Sequence, residues 1–257
     1  MIRVVTDHPI ALTSNDHLYP RGTKIDNSGN WAFNARVRDL FGRASVLDLG
    51  CAGGVMVHSL LQQGHLAVGI EGSDYSQKHK RAQWKYLDGK YLFTADITKP
   101  FAVLEDAVFS RSSETLSKRL DFDVITMWEV IEHIKEDDLP QLFDNILLHL
   151  APGGVVIMSV CPNPDRAYDD NQEINVDWKK HEGDPFAILE YFKRKGGGPG
   201  AKLIDYHMCC HDQPWWEAKM AKLRWFNNQG LVRQFKDCMV RGGDNAPGSF
   251  HMVLERG

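Results

Sequence analysis

Short unbroken apolar runs alternate with stretches of helical period through the middle of the chain. "SVLDL" (45–49) reads as a buried strand, residues 53–63 as a helix closed by Gly64, and "LAVGIE" (66–71) as a second buried strand. Residues 75–87 suit a helix, "YLFTADI" (91–97) a third strand and "FDVITMW" (122–128) a fourth, with a polar stretch between those two strands. "LPQLFDNILLHL" (139–150) has the spacing of an amphipathic helix, stops at "APGG", and is followed by "VVIMSV" (155–160), a fifth strand. Strands that are apolar throughout are buried on both faces, and their alternation with helices predicts a parallel sheet covered on both sides.

The two ends are less regular. Residues 1–27 read as polar and irregular, with turn formers crowding "YPRGTKIDNSGN" (19–30). Ser28 is placed to cap a helix over about 29–42, with Trp31, Val37, Leu40 and Phe41 facing inward. Past residue 160 the rhythm breaks, and residues 161–206 mix Pro and Asp with a "GGGPG" run. A helix over about 214–228 follows, and "LVRQFKDCMV" (231–240) and "SFHMVLE" (249–255) read as two closing strands.

Composition narrows the class. The chain has 257 residues, 43% of them apolar and 25% charged, which fits one large domain with a substantial core. A net charge of −4 gives no basic footprint for duplex nucleic acid. The five cysteines are odd in number, two of them adjacent, with no CxxC, which suits free thiols in a reducing compartment. With no leader pattern and no apolar run approaching a membrane span, the expected location is the cytoplasm.

"VLDLGCAGG" (46–54) carries the chemistry. A strand, a glycine turn and a helix form a site for a nucleotide-like ligand. The dinucleotide pattern G-x-G-x-x-G fails twice, at Ala52 and Val55. The pattern D-x-G-x-G-x-G is met by Asp48, Gly50 and Gly54, with Ala52 in place of one glycine. A carboxylate at Asp48 would repel a pyrophosphate and attract an ammonium group, which suits a ligand with a nucleoside at one end and an amino acid at the other: S-adenosylmethionine. The plain alternative is a capping aspartate on a tight turn. Glu71 ends the second strand, where an acid can accept from ribose hydroxyls, and Asp96 ends the third, where it can accept from an adenine amino group while Ile97 offers a backbone N–H. Taken singly, Asp96 reads equally well as a helix cap.

With "GIEGSD", "TADI", "FDVITMWEVIEHI" and "LAPGGVVIMSV" following in order, the chain resembles the class I S-adenosylmethionine-dependent methyltransferases over about residues 44–160 and the closing strand pair. The resemblance implies an α/β, Rossmann-like seven-stranded sheet in the order 3-2-1-4-5-7-6 with the last strand antiparallel. It implies cofactor roles for Asp48, Gly50, Gly54, Glu71 and Asp96, and places Cys51, Ala52, Gly72, Ile97 and Trp128 of the same motifs in that set. One domain is expected: 1–43 an N-terminal lid and helix, 44–160 the cofactor-binding core, 161–212 an inserted substrate region, and 213–257 the closing helix and strands.

Glu129, Glu132 and His133 are spaced i, i+3, i+4, so a helix beginning there would put all three on one face. His133 then reads as a general base near its working pH, or the trio as ligands of Mg²⁺ or Mn²⁺. E-x-x-E-H also resembles the motif of small-RNA terminal 2′-O-methyltransferases and ubiquinone-pathway O-methyltransferases, which implies a metal with a distal histidine, here His207. The plain reading is that Glu132 and His133 only orient a loop. "HMCCH" (207–211) invites zinc, but adjacent cysteines rarely reach one ion. Trp178, Tyr168, Tyr191, Trp215 and Trp216 beside Asp165, Asp169 and Asp170 suit a sugar or polyol, or else anchor the core. Lys193, Arg194, Lys195 and Lys202 around "GGGPG" suit a phosphate or a solvated loop. Tyr19, Lys24 and Asn27 are expected near the methionine end. The expected activity is methyl transfer to a hydroxyl of a small molecule or glycan. An RNA 2′-O-methyltransferase, an oxidoreductase and a silent binding subunit are the rivals.

Overall fold

The computed structural model describes residues 1–108, 115–168, 203–238 and 249–257. The expectations placed on Trp178, Tyr191, Asp169, Asp170, Lys193, Arg194, Lys195, Lys202 and the Tyr168 side chain lie outside the described residues.

The sheet forms as the apolar runs require. Strands β2 (Ser45–Leu49), β3 (Leu66–Glu71), β4 (Leu92–Thr94), β7 (Phe122–Trp128) and β8 (Leu150–Val160) pair in parallel, in the order β4-β3-β2-β7-β8. Strand β12 (Phe250–Arg256) adds antiparallel to β8, and β11 (Trp225–Asn227) closes the edge antiparallel to β12. Counted along the chain, the seven strands stand in the expected order 3-2-1-4-5-7-6. Alternation splits the burial between two cores. Leu47, Leu49, Val68, Ile70, Ile125 and Met127 fill one face. Val46, Ala67, Val124 and Ile157 fill the other, under helices α3 (Trp31–Phe41) and α4 (Val55–Gln62).

Several local expectations give way. The first 27 residues are ordered: β1 (Ile2–Thr6) and two short helices, α1 (Asn15–Leu18) and α2 (Arg21–Ile25). The cap of α3 is Asn30, whose side chain accepts from Phe33 N, and not Ser28. Phe33, Asn34 and Val37 face the core, while Trp31 and Leu40 are 57% and 38% exposed. The polar stretch before β7 holds β5 (Phe101–Val108) and β6 (Thr115–Arg119), which form an antiparallel sheet with β1. Phe101 and Val103 point into the core at a period of two, and the buried His149 Nε2 of α7 (Leu139–His149) accepts from Val103 N at 3.0 Å. Residues 75–87 form two short helices, α5 (Tyr75–Lys78) and α6 (Trp84–Leu87), because Lys80 and Ala82 take φ of +46° and +47°.

The C-terminal part departs most. The helix expected over 214–228 is α8 (Gln213–Lys222), ended by Arg224 at φ +64°, and Trp225–Asn227 become the edge strand β11. The described part of "LVRQFKDCMV", residues 231–238, is not a strand: α9 (Gln229–Phe235) occupies its first half, with Leu231 and Val232 packed on the core and Phe235 buried in it, at helical spacing. Its cap Asn228 accepts from Leu231 N. Glu217 of α8 holds this corner, its Oε1 accepting from Gln213, Asn227 and Gln229. A small antiparallel pair, β9 (Arg166–Tyr168) with β10 (Leu203–Asp205), completes the described structure. No helix among the described residues is long and apolar enough to cross a membrane.

Candidate functional site

The carboxyl ends of β2, β3 and β7 open into a cavity of about 470 Å³. Its floor holds Gly50, Ala52, Glu71, Gly72, Asp96 and Ile97, its far wall Trp128, Glu129 and His133, and its roof Thr13, Asp16, Thr23 and Asp26 of the N-terminal segment. A smaller recess of about 30 Å³ adjoins it, lined by Asp26, Ser28, Asp48, Gly50, Cys51, Ala52, Met56 and Trp128. This is the edge at which open parallel sheets bind ligands.

The turn after β2 is shaped by three left-handed residues. Gly50 has φ +79°, and a Cβ there would meet Val130 Cγ2 at 2.4 Å. Ala52, where glycine is usual in the motif, adopts φ +44°. That conformation costs an L-residue roughly 1–2 kcal/mol, and two bonds hold it: Ala52 N donates to Glu71 Oε2 at 2.8 Å and Ala52 O accepts from Trp84 Nε1 at 2.7 Å. Gly54, φ +83°, lines neither cavity. A Cβ at Gly54 would meet Leu92 Cδ1 at 2.5 Å, so the missing side chain makes room for Leu92. Gly50→Ala is expected to destabilise the fold by about 2 kcal/mol, visible as a lowered denaturation midpoint.

Asp48 is 2% exposed and accepts from Thr126 Oγ1 at 2.7 Å. Burial pushes its carboxyl up to about 7; the Thr126 bond opposes this, and the nearby charges of Glu71 and Asp26 add to it. A carboxyl in this condition is a receptor for a cation. Glu71 is also raised by burial, although Ser73 N and Ala52 N donate to it. Asp96 Oδ1 accepts from Thr98 N and Thr98 Oγ1, which closes a turn rather than capping a helix, and Asp96 lines the cavity. Trp128 lines both cavities, and its Nε1 is buried with no acceptor among the described residues. Asn27 Oδ1 accepts from Val55 N and so caps α4; Tyr19 and Lys24 line neither cavity.

The residues of E-x-x-E-H converge, though not on a helix face. Glu129 sits at φ +54°, and only Ile131–His133 form a single 3₁₀ turn. Glu132 is fully buried: Oε1 accepts from Cys161 N at 2.9 Å, its carbonyl from Met208 N and Cys209 N, and Oε2 has no partner among the described residues. Burial pushes its carboxyl up to about 8, against the charge of His133. His133 Nδ1 lies 2.9 Å from Asp16 Oδ2. Burial lowers the pKa of this ring, but the bond and charge of Asp16, with the charge of Glu132, outweigh it and carry the group up to about 9. The His207 ring stands edge-on to His133 at 4.7 Å, with its Nδ1 2.6 Å from Asn163 O. Glu132 and His207 stand behind the cavity wall, and Glu129 and His133 in it. Donor atoms of Glu132, His133 and His207 lie within 4.8 Å of one another, as do those of Glu129, Glu132 and Cys161. Of "HMCCH", only His207 belongs to either group. Asp16, Thr23 and Asp26 were not legible as site residues, since their segment has no periodicity.

Comparison with known proteins agrees with this fold. A family profile described as a methyltransferase domain matches residues 29–237. A ubiquinone biosynthesis O-methyltransferase of Pasteurella multocida is 29% identical over 118 residues, 44% of this chain and 45% of that protein. The chain thus spans about half the length of the curated relatives it matches. Among solved structures, the DhpI–SAH complex superposes with a TM-score of 0.55 at 13% identity, covering 98% of this chain and 99% of that one. A sugar N-methyltransferase from Streptoalloteichus superposes with a TM-score of 0.50 at 15% identity, covering 93% and 91%. These two share the fold. These comparisons give no support to the oxidoreductase alternative, and the chain belongs to the methyltransferase-domain family.

Proposed function

We propose that the protein methylates a hydroxyl oxygen of a small molecule or saccharide. The observation that carries this reading is His133 in the wall of the cavity on whose floor Glu71 and Asp96 lie. When bound, S-adenosylmethionine supplies an electrophilic methyl group. The residues present fit it. Asp48 would receive the ammonium, Trp128 Nε1, without an acceptor among the described residues, would donate to the carboxylate, Glu71 would accept from the ribose, and Asp96 with Ile97 would meet the adenine. Gly50, Cys51, Ala52 and Gly72 bring backbone close to it. Catalysis is then largely positioning. Asp16 takes up Nδ1 of His133, leaving Nε2 to take the acceptor hydroxyl proton as the oxygen–methyl bond forms.

A second reading is favoured by one observation. Glu129 Oε1 and Glu132 Oε2 are buried without partners among the described residues, while Nδ1 of both His133 and His207 is taken. Histidines held in this way present Nε2 to a metal. The group of Glu132, His133 and His207, one carboxylate and two imidazoles, suits Mn²⁺ better than Mg²⁺, which prefers oxygen. Glu132→Gln separates the readings. It keeps the acceptor for Cys161 N, so stability at pH 7 should change by less than about 1 kcal/mol; a metal-dependent activity should collapse, and a metal-independent one should persist.

The test of the function is release of S-adenosylhomocysteine with a panel of phenols, sugars and a short RNA bearing a terminal 2′-hydroxyl, with Mn²⁺, with Mg²⁺ and with chelator. Turnover of a phenol or sugar supports the proposal. Turnover of the RNA alone replaces it with the nucleic-acid rival, and cofactor binding without turnover of any acceptor favours a silent subunit.

A further inference from the structure

The catalytic end of the cavity is completed by a segment far away in the chain. Residues 7–30 run across the carboxyl edge as a strap. His8 O accepts from Asp96 N, Ala11 N donates to Gly72 O at 2.9 Å, and Asn27 caps α4. Thr23 Oγ1 stands 3.5 Å from Glu71 Oε1, and Thr13, Thr23 and Asp26 line the cavity beside the acids assigned to the cofactor. The same strap reaches the acceptor side. Asn15 Nδ2 donates to Asp205 O at 2.6 Å, Tyr206 OH donates to Tyr19 O at 3.0 Å, and Arg21 pairs with Asp165.

Between these anchors lies α1, a single turn. Its cap Ser14 accepts from Asp16 N, which fixes the backbone under Asp16. Asp16 Oδ2 then meets His133 Nδ1 at 2.9 Å, with both side chains partly buried. His133 sits on a lone 3₁₀ turn, which leaves its ring orientation to side-chain partners, and Asp16 is the only hydrogen-bond partner of that ring among the described residues. A carboxylate on Nδ1 does two things for an imidazole: it sets the tautomer so that Nε2 is the accepting nitrogen, and it fixes the plane of the ring.

We propose that Asp16 is a positioning residue for His133, and that the strap carrying it makes turnover conditional on closure over the cofactor. This rests on the reading of His133 as the base. The strap roofs the cofactor's place and holds the base's partner in one piece of backbone, so opening it for cofactor exchange removes Asp16 from His133. The base is therefore aligned only when the cofactor is enclosed.

The test uses the full chain with Asp16→Asn, Asp16→Glu, His133→Ala and the Asp16→Asn/His133→Ala double variant. Ring ¹⁵N resonances of His133 in histidine-labelled protein report the Nδ1 contact without any acceptor. They should move on Asp16→Asn and return towards wild type in Asp16→Glu. With an acceptor, Asp16→Asn should lower kcat ten- to a hundredfold with KM for the cofactor within about twofold, and the double variant should be no slower than His133→Ala alone. Hydrogen exchange in residues 8–30 should slow when S-adenosylhomocysteine is added. An unchanged His133 spectrum in Asp16→Asn, or unchanged kcat while His133→Ala is inactive, overturns the proposal alone. Full activity in His133→Ala overturns the base reading beneath it.

Discussion

Asp48→Asn should weaken S-adenosylmethionine binding about a hundredfold, roughly 2.7 kcal/mol, while the chain stays folded. The asparagine keeps the acceptor for Thr126 Oγ1 and removes a charge that burial already disfavours. Calorimetric titration with the cofactor measures the first effect and thermal denaturation the second; equal affinity for wild type and variant would remove Asp48 from the site. The same group ties stability to pH. Its folded pKa of about 7 lies above the unfolded value of 3.8, so the folded protein binds the proton more tightly. The stability it contributes is fully present below about pH 4 and is lost as pH rises through about 7, at most about 4 kcal/mol. Denaturation of the cofactor-free protein should therefore show a midpoint falling between about pH 4 and 7. Asp48→Asn should flatten that fall, and bound cofactor should oppose it, since an ammonium favours the ionised form.

His133→Ala should lower kcat by about 10²- to 10⁴-fold with cofactor affinity little changed, because the ring stands in the cavity wall away from Asp48. The pH profile adds a sign. With its pKa raised to about 9, His133 carries both protons at neutral pH, and only the neutral ring can take a proton. Log kcat should rise with pH through the alkaline range and level off near 9, and the residual rate of the alanine variant should lose that limb. A wild-type rate flat across this range would argue for positioning by a metal or by the loop alone.

The residues proposed for the cofactor were legible as a group because they stand at or near the ends of apolar runs. Asp48, Glu71 and Asp96 each follow a stretch that has to be a buried strand, so sheet topology alone carries them to one edge. The catalytic side was readable only as a composition of ligand types. The spacing of Glu129, Glu132 and His133 suggested a helix, whereas a left-handed Glu129 and a single 3₁₀ turn bring them together. Gly54 belongs to the motif, and the structure adds that Leu92 packs where its side chain would stand. The strap was expected as an N-terminal lid, but Asp16, Thr23 and Asp26 within it were not legible, for another reason. Its ordering comes from single hydrogen bonds to residues distant in sequence, which leave no period in the chain. The closing strands were misassigned because "LVRQF" satisfies both an apolar run and a helical spacing, and the Asn228 cap selects the helix.

The strap also has a consequence for how the molecule is made. Asn15 is synthesised 190 residues before its partner Asp205, and Asp16 117 residues before His133. Contacts of such separation carry a large loop-closure cost until the intervening sheet exists. On the ribosome, then, the strap emerges before its partners and is among the last segments to dock. If it completes the site as proposed, a finished sheet stays inert until the strap is laid across its edge.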